Sequence, residues 1–347
     1  MIRPSVGIAA ALAAVVMALP GSAGAQTFKM EKYTIGGEGG TDYLTADPAS
    51  GRVFISRGTH VMVVDGATGN VLGDIMDTPR VHGIAFAPKA NHGFTTNAGD
   101  STLTMFDLTT LAVIKKVHIG IDGADGIMYD DATDKILSIN HSHPSGTAVV
   151  VDATSGDVVA TVKLNGMAPE GGVSDGNGRI FINMEDKNSI DVVDSKTWKV
   201  VATWKIEACD GPTGIAMDRT SQRIFSGCGG TSVVVNATTG KVVAKIKNGE
   251  GVDALGWDQA EQLMYIPAGR DGNFTVVHED SPDKYTVVAT VATFAGAKTV
   301  TVDDVKHMAF AFTPQYGPAP APAAGAPPAG RGPRGPMIGT WFIAVSH

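Results

Sequence analysis

Seven polar residues recur at nearly even intervals: Asp42, His82, Asp125, Glu170, Thr213, Asp253 and Lys298, spaced 40, 43, 45, 43, 40 and 45 residues apart. Each opens a similar short run, as in RVHGIAFAP (80–88), GADGIMYDD (123–131), APEGGVSDG (168–176) and GPTGIAMDR (211–219). GTDYLTADP (40–48), GVDALGWDQ (251–259) and GAKTVTVDD (296–304) are looser copies. The set holds four carboxylates, one imidazole and one ammonium. If one element brings them together, the carboxylates repel. That repulsion is relieved by a bound cation, by Lys298, or by raised pKa values. Carboxylates mixed with histidine suggest a divalent metal ion. An all-oxygen set suits calcium or magnesium, and adding His82 or the His141–His143 pair shifts the preference toward zinc or manganese. Taken singly, an acidic residue before glycine is ordinary turn chemistry; only the recurrence argues for a ring.

The element that would gather them is visible in a second repeat. VMVVDGATG (61–69), LTMFDLTTL (103–111), AVVVDATSG (148–156), IDVVDSKTW (190–198) and SVVVNATTG (232–240) share an apolar run, a marker residue and a turn. The markers Asp65, Asp107, Asp152, Asp194 and Asn236 are spaced 42, 45, 42 and 42. FTVVHEDSPDKYTVV (274–288) is a sixth copy with a longer turn, and TWFIAV (340–345) is a seventh apolar run. The fifth repeat parses into four strands, at 214–217, 223–226, 232–236 and 241–247. Four-strand units of this length predict an all-β chain folded as a seven-bladed β-propeller. A helical period is absent. The last repeat ends after its third strand, and TFKMEKYTI (27–35) resembles a fourth strand. It is expected to complete the last blade and close the ring.

SVVVNATTGKVVAKI and VVVDATSGDVVATV resemble the YVTN/YncE-like seven-bladed propeller repeats. MEDKNSIDVVD (184–194), EACDGPTGIAMD (207–218) and HEDSPDKYTVV (278–288) resemble an exported bacterial branch of that family. The resemblance covers nearly all of the mature chain and implies the fold. It implies no single activity, because propellers carry many unrelated ones.

In a propeller the ring residues start the innermost strands and face one mouth of the central channel. Loops between second and third strands open on the same face. They add Arg57, His60, Asn97, Asp100, Asn140, His141, His143, Asn183, Glu185, Arg270 and Asp271 to the candidate ligand-binding set. Asp125, Glu170, His82 and Asp253 are the metal candidates, and Glu170, Asp125 and His82 the candidates for proton transfer. His141 and His143 could chelate if they share a strand face, but in a loop the spacing means little. Cys209 and Cys228 fall on this face and predict a disulfide, with soft-metal ligation as the minor alternative. Asp47, Asp130, Asp175, Asp218, Asp258 and Asp303 follow the inner strands on the opposite face, as turn formers. HEDSPDK (278–284) is read as a long solvated turn on that face.

Residues 1–25 read as a signal peptide. Arg3 is followed by an apolar stretch (6–19) and a small-residue site ending at Ala25. The run is short for a membrane anchor and Pro20-Gly21 breaks it. This predicts a periplasmic or secreted protein, with 26–347 as one propeller domain and no membrane span after leader removal. The chain has 347 residues, 18% charged, and a net charge of −8; losing the leader removes one more positive charge. An acidic exported monomer is a poor generic partner for nucleic acid. The Pro/Gly-rich segment 313–338, with Arg331 and Arg334, is expected to be a flexible insert in the last blade, emerging near the mouth. No nucleophile elbow, haem-attachment motif or phosphate loop is present. GGEGG (36–40) opens no helix and makes no dinucleotide site.

Two functions fit the ring. The first is a binding protein offering its acidic mouth to a small ligand, a metal ion or an envelope partner. The second is a metal-assisted hydrolase, lactonase-like, in which an ion polarises a carbonyl and Lys298 holds an anionic substrate. A purely structural envelope role leaves the ring without purpose.

Overall fold

The computed structural model describes residues 27–319 and 335–347; the predicted signal peptide lies outside the described residues. Among them are seven four-stranded antiparallel sheets, each joining sequence-adjacent strands except the last. Blades 1 to 6 span residues 44–75, 81–118, 124–163, 169–205, 215–247 and 256–292. Blade 7 takes Thr301–Asp303, Met308–Tyr316 and Met337–Ser346 from the C-terminal region and Lys29–Thr34 as its outer strand. Lys29 pairs with Ser346 and Thr34 with Trp341, so the N-terminal strand closes the ring as expected. Among the described residues helix is limited to two single 3₁₀ turns, Pro88–Ala90 and Glu185–Lys187.

The repeat markers work as turn residues. Asp65, Asp107, Asp152, Asp194 and Asn236 each accept the backbone N–H groups two and three residues on, at 2.7–3.0 Å. A side-chain oxygen that caps its own turn fixes the hairpin between third and fourth strands. Between these turns the strands bury alternating apolar faces. The buried side chains sort into seven clusters, one at each blade–blade junction. Phe94 of blade 2, for example, packs with Ile136 and Val149 of blade 3.

Two sequence expectations need correction. HEDSPDK is not a long turn. The strands Asn273–Ser281 and Lys284–Ala292 run on until Ser281 pairs with Lys284, leaving Pro282-Asp283 at the tip. The lengthened strand buries Glu279 and carries Asp283 to Arg223, 2.8 Å away. The blade 7 insert is also narrower than 313–338. Pairing continues to Tyr316 and Met337, so 313–316 and 337–338 belong to the ladder. Residues 320–334 lie outside the described residues.

Cys209 and Cys228 form a disulfide, both buried, with Cα atoms 5.5 Å apart across 19 residues of sequence. It ties the crossing segment before blade 5 to the end of that blade's second strand. Replacing both cysteines by alanine is expected to cost about 3 kcal/mol by loop-closure entropy. Equilibrium urea denaturation measures this; an unchanged midpoint would show that blade 5 holds the segment without the bridge.

Candidate functional site

The inner strands of blades 2, 3 and 4 share an irregularity that blades 1, 5, 6 and 7 lack. Their pairing skips between Val81 and Ile84, Ala124 and Ile127, and Pro169 and Gly172. The skipped residues are His82-Gly83, Asp125-Gly126 and Glu170-Gly171. A bulge re-aims the side chain it carries, and here it turns three successive ring residues into the mouth. The glycines permit the crowding: a Cβ on Gly126 would stand 2.7 Å from the Glu170 carbonyl oxygen of the next blade.

The charges then form an unbroken chain around the mouth. Lys298 Nζ contacts Asp253 closely and lies 3.3 Å from Asp42 Oδ1. His82 Nδ1 is in close hydrogen-bond contact with Asp42 and lies 3.4 Å from Asp125 Oδ1. His141 Nε2 lies 3.5 Å from Asp125 Oδ2 and 3.1 Å from Glu170 Oε1. The nitrogen is lodged between the two carboxylates, with Glu170 the nearer partner. Two groups bring their donor atoms within 4.8 Å of one another: Asp42, His82 and Asp125, and Asp125, His141 and Glu170.

The two halves of the ring differ electrically. Near Lys298 the charges balance. Burial works against the Asp42 carboxylate, yet the His82 hydrogen bond and the Lys298 charge outweigh it and hold the group below its usual range. Burial also works against the Lys298 ammonium, and Asp253 and Asp42 more than offset it, raising its pKa. The other half is under-neutralised. Burial, with repulsion from Asp42 and Asp253, pushes Asp125 up despite His82 and His141. Burial, aided by Asp125, pushes Glu170 up to about 7 despite His141. His82 is raised because Asp42 and Asp125 outweigh its burial. His141 rises to about 9, first through Glu170, against burial, and then through the charge of Asp125.

These shifts fix a sign for stability. The raised His141 contributes stability fully below the ordinary imidazole value of 6.5, and loses it as pH rises through about 9. Glu170 acts the same way, because the folded state favours its neutral form up to about 7. The chelator-treated protein is therefore expected to lose stability from pH 4.5 to about 9, first through Glu170 and above 6.5 through His141. Urea midpoints across that range measure it, and a flat or rising profile would contradict the pairing.

Sequence reasoning missed Tyr43. It follows Asp42 at the position where the other six blades carry Gly83, Gly126, Gly171, Gly214, Ala254 and Thr299. Its ring takes the space that those small residues leave on the channel axis. The hydroxyl reaches across from blade 1 to donate to Glu170 Oε2 at 3.4 Å. Burial and the charges of Asp253, Glu170, Asp125 and Asp42 push its pKa well above 10, so it stays a donor. Tyr43 floors the mouth above a channel cavity of about 150 Å³. A larger cleft of about 940 Å³ opens beside Asp42, His82 and Lys298, walled by Phe294, Tyr316 and Ile338 at the base of the blade 7 insert.

The other candidates lie elsewhere. Arg57 is wholly buried; its guanidinium donates to the Gly36 and Gly37 carbonyls at 3.2 and 3.0 Å and lies over the Phe312 ring. Thr213 donates to the Val252 carbonyl at 2.9 Å. Asn183 donates to the Gly214 carbonyl at 2.9 Å and Asn140 to the Ser138 carbonyl at 2.9 Å, both fully buried. Asn97 is likewise buried among Thr95, Thr102 and Thr104. Asp100 pairs with Lys116 at 3.1 Å, His60 with Asp74 at 3.6 Å, and Asp271 accepts the Glu250 N–H at 2.9 Å. Glu185, Arg270 and His143 are exposed. His143 belongs to neither donor group; it is His141 that reaches the carboxylates.

Comparison with known proteins agrees on architecture. No protein-family model matches the chain, and no curated protein does. The chain is similar to solved propellers at low identity. One is titled Kuenenia stuttgartiensis hydrazine synthase, at TM-score 0.69 and 16% identity, covering 78% of this chain and 92% of that one. Another is the RRP9 WD40 repeats, at TM-score 0.74 and 10% identity, covering 90% of this chain and 97% of that one. The chain is a seven-bladed β-propeller. At these identities the likeness shows the fold alone, and function must be argued from the site.

Proposed function

We propose that this protein is an exported binding module whose channel mouth holds a divalent metal ion on Asp125, His141 and Glu170. One observation carries the reading: two under-neutralised carboxylates and the imidazole nitrogen lodged between them converge within 4.8 Å. A cation there supplies the charge that Lys298 supplies to the opposite half. One nitrogen with carboxylate oxygens favours zinc or manganese over calcium or magnesium. A small anionic ligand, free or carried on an envelope protein, would complete the ion's coordination. The buried disulfide supports an oxidising, periplasmic or secreted setting.

A second reading, metal-assisted hydrolysis, is favoured by one feature. With an ion on the Asp42, His82 and Asp125 group instead, Glu170, held at about 7, is left to take up and return protons near neutral pH.

The test is thermal unfolding of the chelator-treated protein with calcium, magnesium, manganese and zinc added singly. An ion that binds only the folded state raises the midpoint. Zinc or manganese is expected to give the largest rise. No rise with any of the four would sink the proposal.

A further inference from the structure

Asp125 is common to both donor groups, and it offers each a different oxygen. Oδ1 faces His82 Nδ1 at 3.4 Å, and Oδ2 faces His141 Nε2 at 3.5 Å. Beyond His82 stands Asp42; beyond His141 stands Glu170. The arrangement runs carboxylate, imidazole, carboxylate, imidazole, carboxylate across three adjacent bulged strands and the start of blade 1. It is nearly symmetric about Asp125, and each flanking set has one nitrogen and one further carboxylate.

We propose that the mouth holds two divalent ions, with Asp125 bridging them through its two oxygens. This rests on the metal reading above and extends it. One ion would sit between Asp42, His82 and Asp125, the other between Asp125, His141 and Glu170. Nitrogen-and-oxygen sets of this kind take zinc or manganese, and paired sites hold their ions about 3.5–4 Å apart. Three protein donors per ion leave further positions open. On the His82 side these face the cleft beside Lys298, where an anionic oxygen of a small carboxylate or phosphate could ligate the first ion. Tyr43 closes the axis from below and donates to Glu170, so its hydroxyl orients one terminal ligand.

Two other features support a pair over a single ion. The three bulges carry His82, Asp125 and Glu170, one residue of each flanking set and the shared carboxylate, where blades 5, 6 and 7 begin their inner strands beyond the ring residue; Asp42 joins from the start of blade 1 and His141 from the loop after the second strand of blade 3. Gly123, directly before Ala124-Asp125, has φ +76, and its backbone is so close to His141 that a Cβ would meet the His141 carbonyl oxygen at 1.9 Å. That contact, with the His141 N–H donating to the Gly123 carbonyl at 2.9 Å, locks the second imidazole beside the shared carboxylate.

The experiment is manganese binding to the chelator-treated, full mature chain, read by calorimetric stoichiometry and by electron paramagnetic resonance. Two ions per chain and an exchange-coupled spectrum are expected. His82→Asn should reduce the count to one, and His141→Asn should do the same, each with a simple six-line signal. One ion in the parent, lost in His141→Asn and kept in His82→Asn, would overturn the pair and leave the single-ion reading standing. No bound ion would overturn both. Two ions with uncoupled spectra would overturn the bridge. The parent spectrum decides the bridge even if a variant fails to fold.

Discussion

Asp125→Asn is expected to abolish the cation-induced rise in unfolding midpoint while leaving the chelator-treated protein at least as stable as the parent. The amide keeps the size of the side chain and removes a charge that burial and neighbouring carboxylates already disfavour. Relieving that repulsion offsets the weakened attraction to His82 and His141. What is lost is the ligand. At an ion concentration 100 times the dissociation constant, binding stabilises the folded state by about 2.7 kcal/mol, and the variant should forfeit all of it. Glu170→Gln should behave in the same direction, and if the protein is a hydrolase it should also lose turnover without losing stability. Thermal melts with and without manganese measure both. An undiminished metal response in Asp125→Asn would place the ion somewhere other than the mouth.

Arg57→Ala should do the opposite: lower stability severely and leave cation affinity unchanged. Arg57 is among the largest fully buried side chains, lying over Phe312 and bridging the carbonyls of Gly36 and Gly37. Truncation removes that packing, leaves a void, and strands the Gly37 carbonyl oxygen, while the Gly36 carbonyl keeps the Thr340 hydroxyl. Large-to-small changes at such sites cost about 3 kcal/mol or more. The closing strand Lys29–Thr34 follows directly into this segment, so loss of the anchor should loosen the ring where it closes. Urea denaturation together with manganese calorimetry separates the two effects. A fall in affinity with stability intact would make Arg57 a mouth residue after all.

Much of the fold was legible in the sequence because its turns are chemical. The aspartates and the asparagine that cap their own hairpins recur at fixed intervals, and they report blade boundaries directly. Strands Arg223–Ser226 and Val242–Lys247 fall within a residue of where the repeat put them. The site was legible only as a set of positions. Repeat spacing finds equivalent backbone positions, but a bulge decides where a side chain points. Bulges aimed His82, Asp125 and Glu170 inward, while Thr213, one blade on, turned its hydroxyl to a backbone carbonyl. The loop candidates Arg57, Asn140 and Asn183 failed to separate from the ligand set because a polar residue at a strand end can serve backbone carbonyls as readily as a ligand. Tyr43 did leave a signal: one aromatic residue where six blades have Gly, Ala or Thr. His141 and His143 differ by two residues in a loop, and only the clasp between Gly123 and His141 chooses between them.

The most direct test is anomalous diffraction from crystals of the mature protein soaked with zinc or manganese, recorded at the metal absorption edge. The account predicts an anomalous peak among the side-chain oxygens of Asp125 and Glu170 and the Nε2 of His141. A peak confined to the surface, or none at all while the crystals diffract unchanged, would contradict it.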